Sequence, residues 1–283
     1  MSVIAATDGT ESANVAVAWA AQEARRRRAS LRIVYAYDSD WLESRFDIGA
    51  EYLDVAESLA KAVVADARDR AMAAVPGLHI ETDILPGHAI PRLLEVAEGA
   101  DLLVLGSRGR GGFSGLVLGS VSQRLATHAP CPVAVVRDEA SGDGPVVAGV
   151  DDTPSAEFVL PTAFAAAAER DTTLIVIRSY LPAIPRWLAT VPMPADLSNP
   201  ADDPGERERL EEQLAPWRDR YPQVRVETVL THDGAAAALV GATKRAALTV
   251  VGSHGHGTLA AALLGSTVLQ LLHHADCPVM VVR

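Results

Sequence analysis

The stretch GSRGRGGFSGLVLGS, Gly106–Ser120, holds six glycines and two arginines and directly follows the apolar run DLLVL. A short apolar run reads as a buried strand, and the closing Gly-Ser reads as the opening of a helix. A second stretch, GSHGHGTLAAALLGS at Gly252–Ser266, repeats the layout. Both follow one spacing: Gly, two residues, Gly, nine residues, Gly-Ser. In the first these are Gly106, Gly109, Gly119 and Ser120; in the second, Gly252, Gly255, Gly265 and Ser266.

The repetition extends outward. LGSRGRGGFSGLVLGSVSQRLATHAPCPVAVVR, ending at Arg137, and VGSHGHGTLAAALLGSTVLQLLHHADCPVMVVR, ending at Arg283, agree without gaps at 16 of 33 positions. The openings match as well, VIAATDGTES at Val3–Ser12 against VVAGVDDTPS at Val146–Ser155, which pairs Asp8 with Asp151 and Ser12 with Ser155. Repeats of about 140 residues are domain-sized, so the chain is a tandem duplication and not a solenoid. The expected domains are residues 1–138 and 146–283, with the polar, Gly-containing stretch 139–145 as linker.

Within each half, short apolar runs alternate with helical patterns. SVIAAT, LRIVYAY, LHIETDIL, DLLVLGS and PVAVVR read as strands of the first half. ESANVAVAWAAQEARRRR, the region of Ala50–Ala74, AIPRLLEVAEGA and SVSQRLATHA read as helices. The second half supplies VVAGVD, TLIVIRSY, VRVETVL, LTVVGS and PVMVVR in the same order. Such alternation predicts an α/β class with two tandem doubly wound domains, each a parallel sheet covered by helices on both faces. The Pro-rich segment Leu181–Glu206 reads as an irregular excursion, either a surface loop or a lid.

Composition narrows the function. The 283 residues are 49% hydrophobic and carry a net charge of −11, which argues against nucleic acid or an anionic membrane surface as partner. The run Arg25-Arg26-Arg27-Arg28 reads as a solvated helix end favoured by the helix dipole. MSVIAATDG has no basic-then-apolar leader, and no apolar run reaches the roughly 20 residues of a membrane span. Cys131 and Cys277 occupy equivalent places before strand-like PVxVVR runs, so they read as small core residues. A cytoplasmic setting is expected.

The glycines carry chemistry. Glycine after a strand lets backbone N–H groups approach an anion without a Cβ in the way, and a helix start favours phosphate. The bland reading is structural glycines, with Ser120 and Ser266 as helix caps. A Walker loop is excluded: GK[ST] is absent, and the two lysines, Lys61 and Lys244, lie elsewhere. The dinucleotide GxGxxG also fails, because Ser114 stands at the third place and the first strand ends in TDGTES. Asp8 and Asp151, where strand one meets a helix, are placed to accept ribose hydroxyls or hold Mg²⁺ against phosphates. Each also suits a turn beside a helix start.

TDGTESA, the long run from PGHAIPRLLEVAEG to PCPVAVVR and its second-half counterpart resemble the universal stress protein family over nearly the whole chain. The resemblance implies five-stranded parallel sheets in order 3-2-1-4-5. It also implies ATP binding in both halves, since both match the Gly-x2-Gly-x9-Gly-Ser/Thr subgroup. It would place Asp8 and Asp151 near adenosine and the backbone around Ala36 and Ser179 at the adenine edge. Gly106, Gly109, Gly119 and Ser120, and Gly252, Gly255, Gly265 and Ser266, would meet the phosphates. Ser122 aligns with a frequent family Ser/Thr, whereas its counterpart is Val268. Asp152 for Gly9, Ala247 for Asp101 and Asp233 for Gly87 are departures in half two.

Two classes of function follow, with a structural scaffold as a third. One is a module that binds ATP, one nucleotide per domain, and passes conformational information to an unknown signalling partner. The other is a slow Mg²⁺-dependent ATPase or phosphotransfer enzyme using Asp8 or Asp151. No Ser–His–Asp order, HExxH or kinase loop points to a catalytic apparatus. His254 and His256 replace Arg108 and Arg110, either as exposed loop residues or as phosphate contacts responsive to pH. An intrachain pseudo-dimer through PVAVVR and PVMVVR is expected, together with a homodimer of the whole chain.

Overall fold

The computed structural model describes residues 2–37, 50–109, 118–137, 143–180, 203–254 and 264–283, with side chains in the second span from 57 onward. Gly255, the loop cores around Phe113 and His256, residues 138–142 of the connection and residues 181–202 of the Pro-rich segment lie outside them. The chain divides into two compact units, Met1–Ala140 and Ser141–Arg283.

In the first unit the elements are β1 (Ser2–Ala6), α1 (Glu11–Arg26), β2 (Ser30–Tyr37), α2 (Ala50–Ala74), β3 (Ile80–Pro86), α3 (Ala89–Ala97), β4 (Leu102–Gly106), α4 (Ser120–His128) and β5 (Val133–Val136). All strand pairs are parallel, in the order β3-β2-β1-β4-β5. Leu102, Leu103, Val104 and Leu105 are all buried, as a central parallel strand covered on both faces requires. α1 packs with α2, and α3 packs with α4. Five small alanines of α1, Ala13, Ala16, Ala20, Ala21 and Ala24, are buried and allow its axis close to the sheet.

The second unit repeats the plan with β6 (Val146–Val150), α5 (Ala156–Arg170), β7 (Leu174–Ser179), α6 (Pro204–Arg220), β8 (Val226–Thr231), α7 (Ala235–Thr243), β9 (Leu248–Gly252), α8 (Ser266–His274) and β10 (Val279–Val282). Its order is β8-β7-β6-β9-β10, again all parallel. The expected order 3-2-1-4-5 therefore holds in each unit.

Element ends show what the sequence pattern blurred. The arginine run closes α1: Ala29 N–H donates to Ala24 O and Arg28 N–H to Arg25 O, with Arg28 left-handed at φ 53°. This is a Schellman termination. Arg26 and Arg27 also face the buried Glu23, at 3.7 and 2.8 Å, so the run is not wholly a solvated end. α3 stops at Ala97, short of the expected Ala100, because Gly99 takes φ 80°. α6 starts at Pro204, inside the expected excursion. Asp203 accepts from the Gly205 and Glu206 N–H groups, and proline suits the first helical turn. Both cysteines are buried and unbridged, and burial pushes the Cys277 thiol up to about 11.

Candidate nucleotide site

The strand order reverses between β1 and β4, and again between β6 and β9. Crevices beyond the carboxyl ends of parallel strands open at such points. Each unit has a cavity there of about 340 Å³. The first is lined by Asp8, Ala36, Gly106, Gly109, Gly119, Ser120 and Ser122, together with Thr7, Leu93, Arg108 and Leu118. The second is lined by Asp151, Ser179, Gly252, Gly265 and Ser266, with Ser155, His254, Thr267 and Val268. Every expected site residue within the described spans thus lines one of the two cavities.

A backbone clasp lies beside each cavity. Gly119 N–H donates to Ser107 O at 2.7 Å, and Ser107 N–H donates to Val136 O at 2.8 Å. In the second unit Gly265 N–H reaches Ser253 O at 3.0 Å, and Ser253 N–H reaches Val282 O at 2.9 Å. The clasp closes the base of the glycine loop and sets the helix start beside the strand end. The helix cap is Gly119 or Gly265, not the following serine, so Ser120 and Ser266 are first-turn residues. The first full-turn bonds are Gln123 N–H to Gly119 O and Leu269 N–H to Gly265 O. The N–H groups of Ser120, Val121 and Ser122, and of Ser266, Thr267 and Val268, precede them. These six residues line the cavities, where first-turn N–H groups and the helix dipole favour an anion.

The glycines divide by role. A Cβ on Gly106 would stand 2.8 Å from Ser12 C and O, and one on Gly252 would stand 2.7 Å from Ser155 Cβ. Both let the strand end pass the start of the first helix, so packing alone demands them. Gly119 differs: a Cβ there meets nothing closer than Ser107 O at 3.5 Å. Packing gives no reason for glycine at that position.

Asp8 both shapes the turn and faces the cavity. Its Oδ1 accepts from Thr10 N–H at 3.0 Å and from Thr10 Oγ1 at 2.6 Å, while Thr10 Oγ1 caps α1 through Ala13 N–H. Its Oδ2 lies toward Gly109. Asp151 Oδ1 repeats the turn with Thr153 N–H and Oγ1. The Thr and Ser kept at matching places in TDGTES and VDDTPS were the signal for this turn. Ser12 Oγ also accepts from Arg108 N–H at 3.3 Å, tying helix α1 to the glycine loop. Ser122 Oγ donates to Gly106 O at 2.7 Å, a bond Val268 lacks.

Two of the three departures in half two, Asp152 and Ala247, have structural causes. Asp152 pairs with Arg178, whose side chain is only 2% exposed and also meets Glu206 Oε2 at 3.0 Å and Gln213 Oε1 at 3.3 Å. Gln213 Nε2 in turn donates to Asp151 O at 3.3 Å, so α6 holds the site's first turn. In the first unit the place of Arg178 is taken by Tyr35, packed on Ala60 and Val64, and Gly9 turns at φ 79°. Asp101 accepts from Ser2 N–H, whereas the corresponding Pro145 has no N–H and Ala247 suffices. Asp233 O accepts from Ser179 Oγ at 2.7 Å beside the second cavity.

The universal stress protein family matches residues 1–137 and 144–283. Universal stress protein Rv2005c of Mycobacterium tuberculosis is 32% identical over 305 residues, covering 99% of this chain and 96% of its own. Rv2623 of the same organism is 33% identical over 301 residues, covering 100% and 96%. A solved universal stress protein from Archaeoglobus fulgidus has the same fold, with a TM-score of 0.74 at 17% identity, over 100% of this chain and 98% of that one. Matched across both halves and along its length, the chain belongs to the universal stress protein family.

Proposed function

We propose that each unit binds one ATP and that the protein acts as a nucleotide-dependent signalling module. The observation that carries this is the pairing, in both units, of a cavity at the strand reversal with three first-turn helix residues in its lining. About 340 Å³ falls in the range of small-molecule sites. In this reading the phosphates rest on the loops of Gly106, Gly109, Gly119 and Ser120 and of Gly252, Gly255, Gly265 and Ser266. Asp8 and Asp151 take ribose hydroxyls, Ser122 lies behind the first phosphate seat, and the backbone at Ala36 and Ser179 meets adenine.

Among the described residues no group of three His, Cys, Asp or Glu side chains gathers as a metal site. Mg²⁺ would come on the phosphates themselves, with Asp8 and Asp151 left to the ribose. No helix among the described residues is long and apolar enough to cross a membrane. The setting we propose is the cytoplasm, with a homodimer and a protein partner as the means of signalling.

The test is thermal melting with ATP and Mg²⁺. At 100 times the dissociation constant the ligand adds about 2.7 kcal/mol of stability. The stabilisation should vanish in G119V/G265V, whose side chains occupy the phosphate seats. An equal rise in that folded double variant overturns the assignment. Phosphate release above a buffer blank, lost with Asp8→Ala and Asp151→Ala, would instead mark an ATPase.

A further inference from the structure

The two cavities differ in the side chain that follows the strand-end Gly-Ser. It is Arg108 in the first and His254 in the second, and each lines its cavity. An arginine keeps its charge at every physiological pH, whereas histidine exchanges its own between pH 5 and 8. His254 Nδ1 lies 2.8 Å from Ser253 Oγ, and Ser253 is buried with its N–H bonded to Val282 O. That contact occupies one ring nitrogen. His254 Nε2 is buried and has no hydrogen-bond partner among the described residues. A buried nitrogen without a partner is costly unless a ligand completes it.

We propose that His254 is a phosphate-contacting residue of the second site, through which that site, unlike the first, holds its nucleotide more tightly at lower pH. The inference rests on the nucleotide-binding reading above. In the imidazolium form, Nδ1–H donates to the Ser253 hydroxyl and Nε2–H donates to a phosphate oxygen with a full charge behind it. Charge-assisted bonds of this kind are about twice as strong as neutral ones. Among the described lining residues, Asp151 is the only other ionisable side chain. Ser266 and Thr267 from α8, Ser155 beside α5 and Ser179 from β7 add no charge.

The experiment isolates each site in the full chain. G119V leaves the second site and G265V leaves the first, and ATP is titrated calorimetrically into each at pH 5.5, 6.5, 7.5 and 8.5. ATP's own protonation is common to both arms. The second-site chain should tighten by about tenfold more than the first-site chain between pH 8.5 and 5.5. Adding H254R should make the second site tight with the first site's pH dependence, and adding H254Q should leave it weak with that same dependence. Equal pH dependence in the G119V and G265V chains, or an undiminished excess in H254Q, overturns the role of His254 while leaving nucleotide binding in place. No ATP binding to the unaltered chain at any of these pH values overturns both.

Discussion

Asp8 and Gly109 meet across the first cavity so closely that a Cβ on Gly109 would stand 2.8 Å from Asp8 Oδ2. Asp8 cannot swing aside cheaply, because its Oδ1 is held by both the N–H and the hydroxyl of Thr10. G109A should therefore cost about 1–3 kcal/mol by overpacking. In D8A/G109A the penalty should be smaller than the sum of the single variants, since the clash is gone. Urea unfolding of the four chains measures this; strict additivity would refute the contact.

The glycines of one loop should separate under mutation. G106A drives a methyl into the Ser12 backbone and should lower stability by about 1–3 kcal/mol. G119A meets nothing closer than 3.5 Å, so its cost should stay below about 1 kcal/mol, the loss expected at a helix cap. Melting without nucleotide checks the order. Comparable losses in both would show that Gly119 is also a packing glycine.

Arg178 should be the most sensitive polar residue of the second unit. R178A removes one of the two cations on Glu206, whose side chain is 11% exposed and stays paired with Arg209, and removes the partner of Asp152, which is 49% exposed. With Arg209 still on Glu206 the loss should fall below the about 3–5 kcal/mol of a fully broken buried pair, whereas an apolar replacement of both partners is often near neutral. Denaturant melts of R178A and of R178M/E206L test this. A double variant as unstable as R178A would show that packing, and not the lost Arg178–Glu206 pairing, sets the cost.

The Cys277 thiol, raised to about 11 mainly by burial, should be inert in the native protein. At pH 8 its thiolate fraction is about two orders of magnitude below that of an ordinary cysteine. Because the folded value lies above the unfolded one, the stability it contributes is present below about pH 8.5 and is lost as pH rises toward 11. Labelling in C131A, before and after denaturation, measures the protection. Rapid labelling of the native chain at pH 8 would contradict this burial.

The Gly-x2-Gly-x9-Gly-Ser pattern marked the loop beside each cavity but not the division of labour inside it. Spacing records that glycine is present; only neighbouring atoms reveal whether a Cβ would strike Ser12, strike Asp8 or make an ordinary contact. The departures in half two were visible as unlike letters, yet their causes were not. Asp152 became intelligible through Arg178 and Glu206, which lie far from it in the chain. Ala247 became so through Pro145, which lacks the N–H that Asp101 accepts from Ser2 in the first unit.

By itself the sequence determined the duplication, the strand–helix alternation and the candidate loops, because hydrophobic period and repeated spacing are local properties. It also located the first-strand carboxylates beside helix starts. Tertiary structure alone decided which glycines the packing demands, that the cap is Gly119 and not Ser120, and that His254 Nε2 lies buried without a described partner. Those outcomes depend on distances between residues remote in sequence, which only the folded chain brings within reach.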